Sequence, residues 1–443
     1  MESLTRQLYR HIGRKAVTAA DLRKTREFML DWAGCHAAGK RTAEGRILQN
    51  WSAKWGGTGL EQEVFLAAAL SHITETDDLH RASVTHPACV VFPVSWHLTR
   101  FLKKPFGDCI LASLKGYEVM CRIGEAVGSE HYKIFHNTAT AGVFGSAAAA
   151  VYLMDLSEEQ FVWALGNAGT QAAGLWQFNS DAAMSKPLHA GHAAAAGLKA
   201  ALLAAEGLTG TAQILEGEKG FFKGLCADPN PDAVTADNSG WKLSETSIKP
   251  YPSCRHTHPS IDAALNVREQ MNEAGVQISE IDHVEIRTYD TALRVTDNPS
   301  PDSTYSAKFS IQYCVSLTLR KGFPGLNHFE GEELEKNRTS DLLTKIKTRE
   351  DQKYSSAYPM HWGSHLNVYA GGQNFESEIV SAKGDPENPI TSDELLEKFH
   401  GLMEYAEIEK EQANSIAGWI LDSDDRERIP DNPFNEKMKL KTS

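Results

Sequence analysis

"HAGHAAAAGLKAALLAAEGLTG", residues 189–210, decides how this chain is to be read. Alanine is the strongest helix former, and Gly207 supplies the stop. A helix with so little side-chain bulk lets neighbouring backbones approach closely, which predicts a place at the centre of a helical domain. The flanking sequence agrees. "SEEQFVWALGNAGTQAAGL" (157–175) opens with a capping box from Ser157 to Gln160, and "TAADLRKTREFMLDWAGCHAAG" (18–39) runs from a cap at Thr18, with Asp21 three residues on, to Gly39. Leu4, Leu8 and Ile12 recur at helical spacing with Arg6, Arg10 and Arg14 between them, an amphipathic first helix. Nothing in the first half alternates like a strand. Two uncharged stretches, Asn137–Met154 and Gln160–Ser180, are built of Ala, Gly, Thr and Asn, and are expected to be buried helices of a large domain and not membrane spans.

After a loop rich in Pro, Asp, Asn and Gly (227–243) the pattern changes. "IDHVEIRTY" alternates through Val284, Ile286 and Thr288 as a half-buried strand, and "HLNVYAGGQNFESEIV" reads as two strands turning at Gly371-Gly372. Helices are expected near 257–275 and 306–321. "TSDELLEKFHGLMEYAEIEKEQANSIAGWILD" then returns to helix. The expected fold is mainly α with an α+β lid: an all-helical domain from 1–240 and 391–443, with a smaller α+β domain, 241–390, inserted in it.

The 443 residues are 41% hydrophobic and 23% charged, ordinary for a globular protein with a sizeable core. A net charge of -13 makes nucleic acid an improbable partner, and any anionic substrate needs a locally basic pocket. Seven cysteines without a CxxC pair argue against a disulfide framework, a structural zinc site or an iron–sulfur cluster, and suit a reducing compartment; a cytoplasmic location is expected.

Four stretches carry ionisable chemistry. "ETDDLHRASVTHP" (75–87) places Glu75, Asp77, Asp78, His80, Arg81 and His86 between apolar runs, where charge is costly unless used. Asp77 or Asp78 also suits a helix cap. Carboxylate and imidazole are proper metal ligands, but HxxxxxH is no standard spacing, and no metal is expected. "HYKIFHNTATAGVFG" (131–145) puts His136 at a helix start. "SKPLHAGHAAAAG" (185–197) gathers Lys186, His189 and His192 at a helix N-terminus, where free N–H groups attract anions. "IKPYPSCRHTHPSIDAA" (248–264) holds Lys249, Cys254, Arg255, His256 and His258; Cys254 as a nucleophile competes with a packing role. There is no GxGxxG after a strand, no GxxxxGK[ST] and no GxSxG, so no organic cofactor or nucleotide is expected.

Taken in order, "SHITETDDLHRASVTHP", "FHNTATAGVFGSAAAA", "SKPLHAGHAAAAGLKAALLAAEGLTG" and "KPYPSCRHTHPSIDAAL" resemble the MmgE/PrpD family. Weaker echoes are "AKFSIQYCVSLTLRKG" and "GDPENPITSDELLEKF". The resemblance implies a homodimer of helical domains with α+β lids. It also implies small di- or tricarboxylic acid substrates handled without metal or cofactor. It places Glu75, His86, His136, Lys186, Lys249 and Tyr313 in the family's site. The chain departs from the family at Glu75 and Leu79, and it has Cys254 where the decarboxylases carry a catalytic histidine.

The function expected is a hydro-lyase acting on a hydroxylated polycarboxylate. His86 or His136 serves as base, and Glu75, Asp77 or Tyr313 as acid. Lys186 and Lys249, with His189, Arg255 and His256, hold the substrate. An epimerase or isomerase, a decarboxylase, and a non-catalytic carboxylate-binding protein are the alternatives.

Overall fold

Thr18 closes its capping box with Asp21, whose carboxylate accepts the Thr18 amide at 2.9 Å, and the helix Ala19–Arg41 begins there. The computed structural model describes residues 2–181, 183–238 and 240–430, and the chain divides into two units.

The first unit comprises the chain up to Ile73, Asp77–Thr246 and the chain from Thr391. Its regular structure is helical apart from the dipeptide strand Leu79–His80 and Thr246, which begins the strand Thr246–Ser247. The alanine-rich helix, Lys186–Ala205, packs against Asn137–Leu153, Leu60–His72 and Glu158–Gly169. Small residues set these distances. A Cβ on Gly197 would lie 2.4 Å from the Val143 carbonyl oxygen, and one on Gly39 would lie 1.9 Å from that of Leu70. The C-terminal helices Ser392–Tyr405 and Lys410–Asp422 pack on Ala19–Arg41, where Lys398 pairs with the buried Asp31.

The first uncharged stretch is the buried helix Asn137–Leu153. The second is helical only to Gly169 and again over the single turn Gln177–Ser180. Between them Gly174, at φ 135°, lets the chain run beside 134–136: its carbonyl accepts the His136 amide at 3.0 Å, and Trp176 donates its amide to Ile134. No helix among the described residues is long and apolar enough to cross a membrane. All seven cysteines are free thiols.

The second unit comprises Thr74–Thr76 and Ser247–Ile390. Its sheet has the order Ile346–Glu350, Ile281–Thr288, Ser364–Ala370, Gln373–Ile379, with the first pair parallel and the others antiparallel. Gly371 and Gly372, both at positive φ, make the two-residue turn read from the sequence. Val284 lies opposite Val368 and next to Ile346, and with Ile286 and Leu366 it buries one face against Val267, Met271, Val315 and Leu319 of the helices His258–Glu273 and Ile311–Lys321. The edge strand Ile346–Glu350 escaped the sequence reading because only Ile346 in it is buried, so it shows no alternation.

Candidate functional site

In the first unit, ionisable groups converge from the ends of four helices and from the loop that carries Asp77. His72 closes the helix Leu60–His72, and its Nδ1 lies 2.6 Å from Oδ2 of Asp77, both residues being buried. His86 Nδ1 is 2.6 Å from the Asp78 carbonyl oxygen and 3.4 Å from the same Asp77 oxygen. A carbonyl only accepts, so Nδ1 of His86 carries the proton and Nε2 the lone pair. The His86 amide is tied to Thr138 Oγ1 at 3.0 Å. Asp78 is structural: it accepts from the Ala88 amide at 3.0 Å, at the head of helix Ala88–Leu102, and from the Tyr117 hydroxyl at 2.9 Å. Burial, with Asp77 adding, pushes its carboxyl well above the usual range.

His136 caps the helix Asn137–Leu153, and its Nδ1 meets Nδ1 of His189 at 3.2 Å. One ring donates and the other accepts, and both are held toward the neutral form. Burial is the main cause, with Lys186 contributing: His136 is driven well below its ordinary value and His189 down to about 4. The rings of His72, His86 and His136 lie within 4.8–6.3 Å of one another, centroid to centroid. Trp176 packs on His136 and Phe178 on His189. Lys186, 4% exposed, begins the alanine-rich helix, so an ammonium and a helix N-terminus coincide beside the histidines.

In the second unit, Lys249 and Glu75 are both buried, with Nζ 3.6 Å from Oε2. Lys308, also buried, donates to the Thr74 carbonyl at 3.0 Å, and its own carbonyl accepts the Cys254 amide at 2.9 Å. Three sequence candidates are engaged otherwise. Arg255 pairs with the buried Asp385 at 2.5 Å and donates to His258 Nδ1 at 2.8 Å and the Lys383 carbonyl at 3.0 Å. His256 is bonded to the Tyr289 hydroxyl at 2.6 Å and stacked on Trp362 at 4.3 Å; burial, helped by Arg294, pushes it down to about 3. Tyr313 donates its hydroxyl to the His328 carbonyl at 2.6 Å within an apolar cluster, and burial raises its pKa. These three hold the unit's interior. His72 and Lys308 were missed by the sequence reading. His72 ends an apolar helix, and its one signal is the carboxylate five residues on.

Two groups among the described residues have donor sets suited to a divalent metal, His72/Asp77/His86 and His80/Glu125/Glu245, each with donor atoms within 4.8 Å. In the second, Lys242 Nζ lies 2.8 Å from both carboxylates, so their charge already has a cation. In the first, the imidazoles are oriented by N–H···O bonds to Asp77 and the Asp78 carbonyl.

Comparison with known proteins gives the same family as the sequence motifs. Residues 10–233 match the MmgE/PrpD N-terminal domain and 251–423 the MmgE/PrpD C-terminal domain. Cis-aconitate decarboxylase of Mus musculus is 28% identical over 76% of this chain and 70% of its own length. The Homo sapiens enzyme of the same name is 26% identical over 85% and 82%. 2-Methylcitrate dehydratase of Salmonella typhi is 28% identical over 43% and 40%.

Proposed function

The chain belongs to the MmgE/PrpD family, and from that premise we propose that it is a cofactor-independent lyase, a hydro-lyase in the first place, acting on a small hydroxylated di- or tricarboxylic acid. The observation that carries this is the histidine cluster of the first unit. A carbon acid beside a carboxylate is very weak, so its deprotonation needs a nitrogen or oxygen base and fixed positive charge for the developing dianion. His86 supplies the first: its Nδ1 proton goes to the Asp78 carbonyl, so Nε2 is the basic nitrogen of the ring. Lys186 at the head of the alanine-rich helix has the second. The C–H electrons become the new C=C bond, the C–O bond breaks, and the hydroxyl leaves as water once protonated.

In the second unit, Lys249 is suited to holding a carboxylate, and the Glu75 carboxyl beside it to exchanging a proton. We assign no proton transfer to Tyr313 and no substrate contact to Arg255 or His256, because each is committed to an internal partner.

Decarboxylation is the second reading. The cis-aconitate decarboxylases align with 76% and 85% of the chain, against 43% for the bacterial dehydratase. Against it stands Cys254, at the position where the family resemblance implies a decarboxylase histidine. A homodimer remains a proposal, tested by its mass in solution. The test of activity is product identity: a hydro-lyase interconverts a hydroxy acid and its unsaturated partner, whereas a decarboxylase releases carbon dioxide from the unsaturated acid.

A further inference from the structure

We infer that Lys308 is a positioning residue that holds Glu75 in its working conformation; this rests on the function proposed above. Glu75 sits at φ 59°, in the left-handed region. For a residue with a Cβ that conformation is strained, and such strain persists only where the surroundings enforce it. Residues 74–76 pack with the second unit, and specific bonds hold them there. Thr74 and Thr76 join their hydroxyls at 2.6 Å. Lys249 faces the Glu75 carboxylate at 3.6 Å. Lys308 Nζ takes the Thr74 carbonyl oxygen at 3.0 Å.

That last bond is the one that acts on the backbone. The Thr74 carbonyl belongs to the peptide plane from which the Glu75 φ rotation begins, so fixing it fixes the direction in which the Glu75 side chain leaves. Lys308 is 4% exposed, and burying an ammonium is costly unless its donors are used. Its own backbone is anchored in turn: its carbonyl accepts the Cys254 amide at 2.9 Å, tying the short helix Thr304–Lys308 to the loop after Lys249. An apolar side chain at 308 removes the donor to Thr74 and lets Glu75 relax to an ordinary negative φ, carrying its carboxylate away from Lys249.

The test pairs crystal structures with kinetics for Lys308→Met, Lys308→Leu and Lys308→Arg. In the methionine variant, Glu75 is expected at negative φ, with kcat lowered about tenfold or more and KM changed less. Arginine, which can donate to the same carbonyl, restores both conformation and rate. In a Glu75→Gln background, Lys308→Met costs no more than about twofold further, because the two act through one group. Glu75 remaining near φ 59° beside Lys249 in Lys308→Met, or in Lys308→Leu should the first not fold, overturns the inference. So do effects that multiply independently. The structural readout stands even if the wild-type protein turns over no polycarboxylate, an outcome that would defeat the function proposal alone.

Discussion

His86 donates its Nδ1 proton to the main-chain carbonyl of Asp78 at 2.6 Å, which leaves Nε2 as the nitrogen able to take a proton. Replacing His86 by Gln or Ala is therefore expected to lower kcat about 100-fold or more with the fold intact, the scale of a lost general base. Steady-state rates with circular dichroism check it. A near-normal rate in either variant contradicts the assignment. Lys186→Ala is expected to act in the same direction, through lost stabilisation of the dianion.

Lys249 and Glu75 are a buried ion pair. Removing one member leaves the other buried without it, which typically costs about 3–5 kcal/mol, whereas removing both is far less damaging. Lys249→Met should thus be strongly destabilised in urea unfolding, and Lys249→Met with Glu75→Gln should recover most of the loss. Additive losses would show that the two are not coupled.

Gly197→Ala tests the close helix contact that supports the histidine cluster. The new methyl carbon would lie 2.4 Å from the Val143 carbonyl oxygen and 2.5 Å from the Ser146 hydroxyl, and a backbone carbonyl cannot rotate aside. The helices carrying Lys186 and His136 must separate, for a loss of about 1–3 kcal/mol. Thermal unfolding measures it, and an unchanged midpoint contradicts the packing described.

Acid should weaken the fold. His36 and His136 are held well below the ordinary value, His189 at about 4 and His256 at about 3, all chiefly by burial. In the unfolded chain these rings take up protons below about pH 6.5, while the folded rings stay neutral. Their contribution is fully present above that pH and falls as pH drops toward 4, each by up to about 1.4 kcal/mol per unit. Asp78 and Asp262 work the other way, because their raised values let the folded state keep protons that the unfolded state loses. Four rings outweigh two carboxyls, so calorimetry should show the melting temperature falling between pH 7 and 4.5. A constant or rising one contradicts these environments.

The helical framework was legible because its caps and small residues are local signals: Thr18 with Asp21, Ser157 with Gln160, and the alanine run before Gly207 all act within a few residues. His86, Lys186 and Lys249 stood out as charges beside apolar runs. The commitments of Arg255 to Asp385 and of Tyr313 to the His328 carbonyl were not legible, because the partners come from distant segments with no motif. Lys308 was missed for the same reason: in "AKFSIQYC" a single lysine between Ala307 and Phe309 carries no motif, and only the fold reveals that it reaches the Thr74 carbonyl. No sequence pattern marks residues 74–76 as packing apart from their neighbours.

The measurement that tests the central claim most directly is proton NMR in deuterated water with purified protein. Cis-aconitate, citrate, 2-methylcitrate, malate, tartrate and iminodisuccinate are supplied separately, with and without a chelator. The account predicts that at least one hydroxy acid and its unsaturated partner interconvert, seen as gain or loss of vinyl signals, with deuterium entering beside the carboxylate and no effect of the chelator. Consumption of cis-aconitate with release of carbon dioxide would instead establish the decarboxylase reading. Turnover abolished by the chelator, or no turnover of any of these acids, would contradict the account.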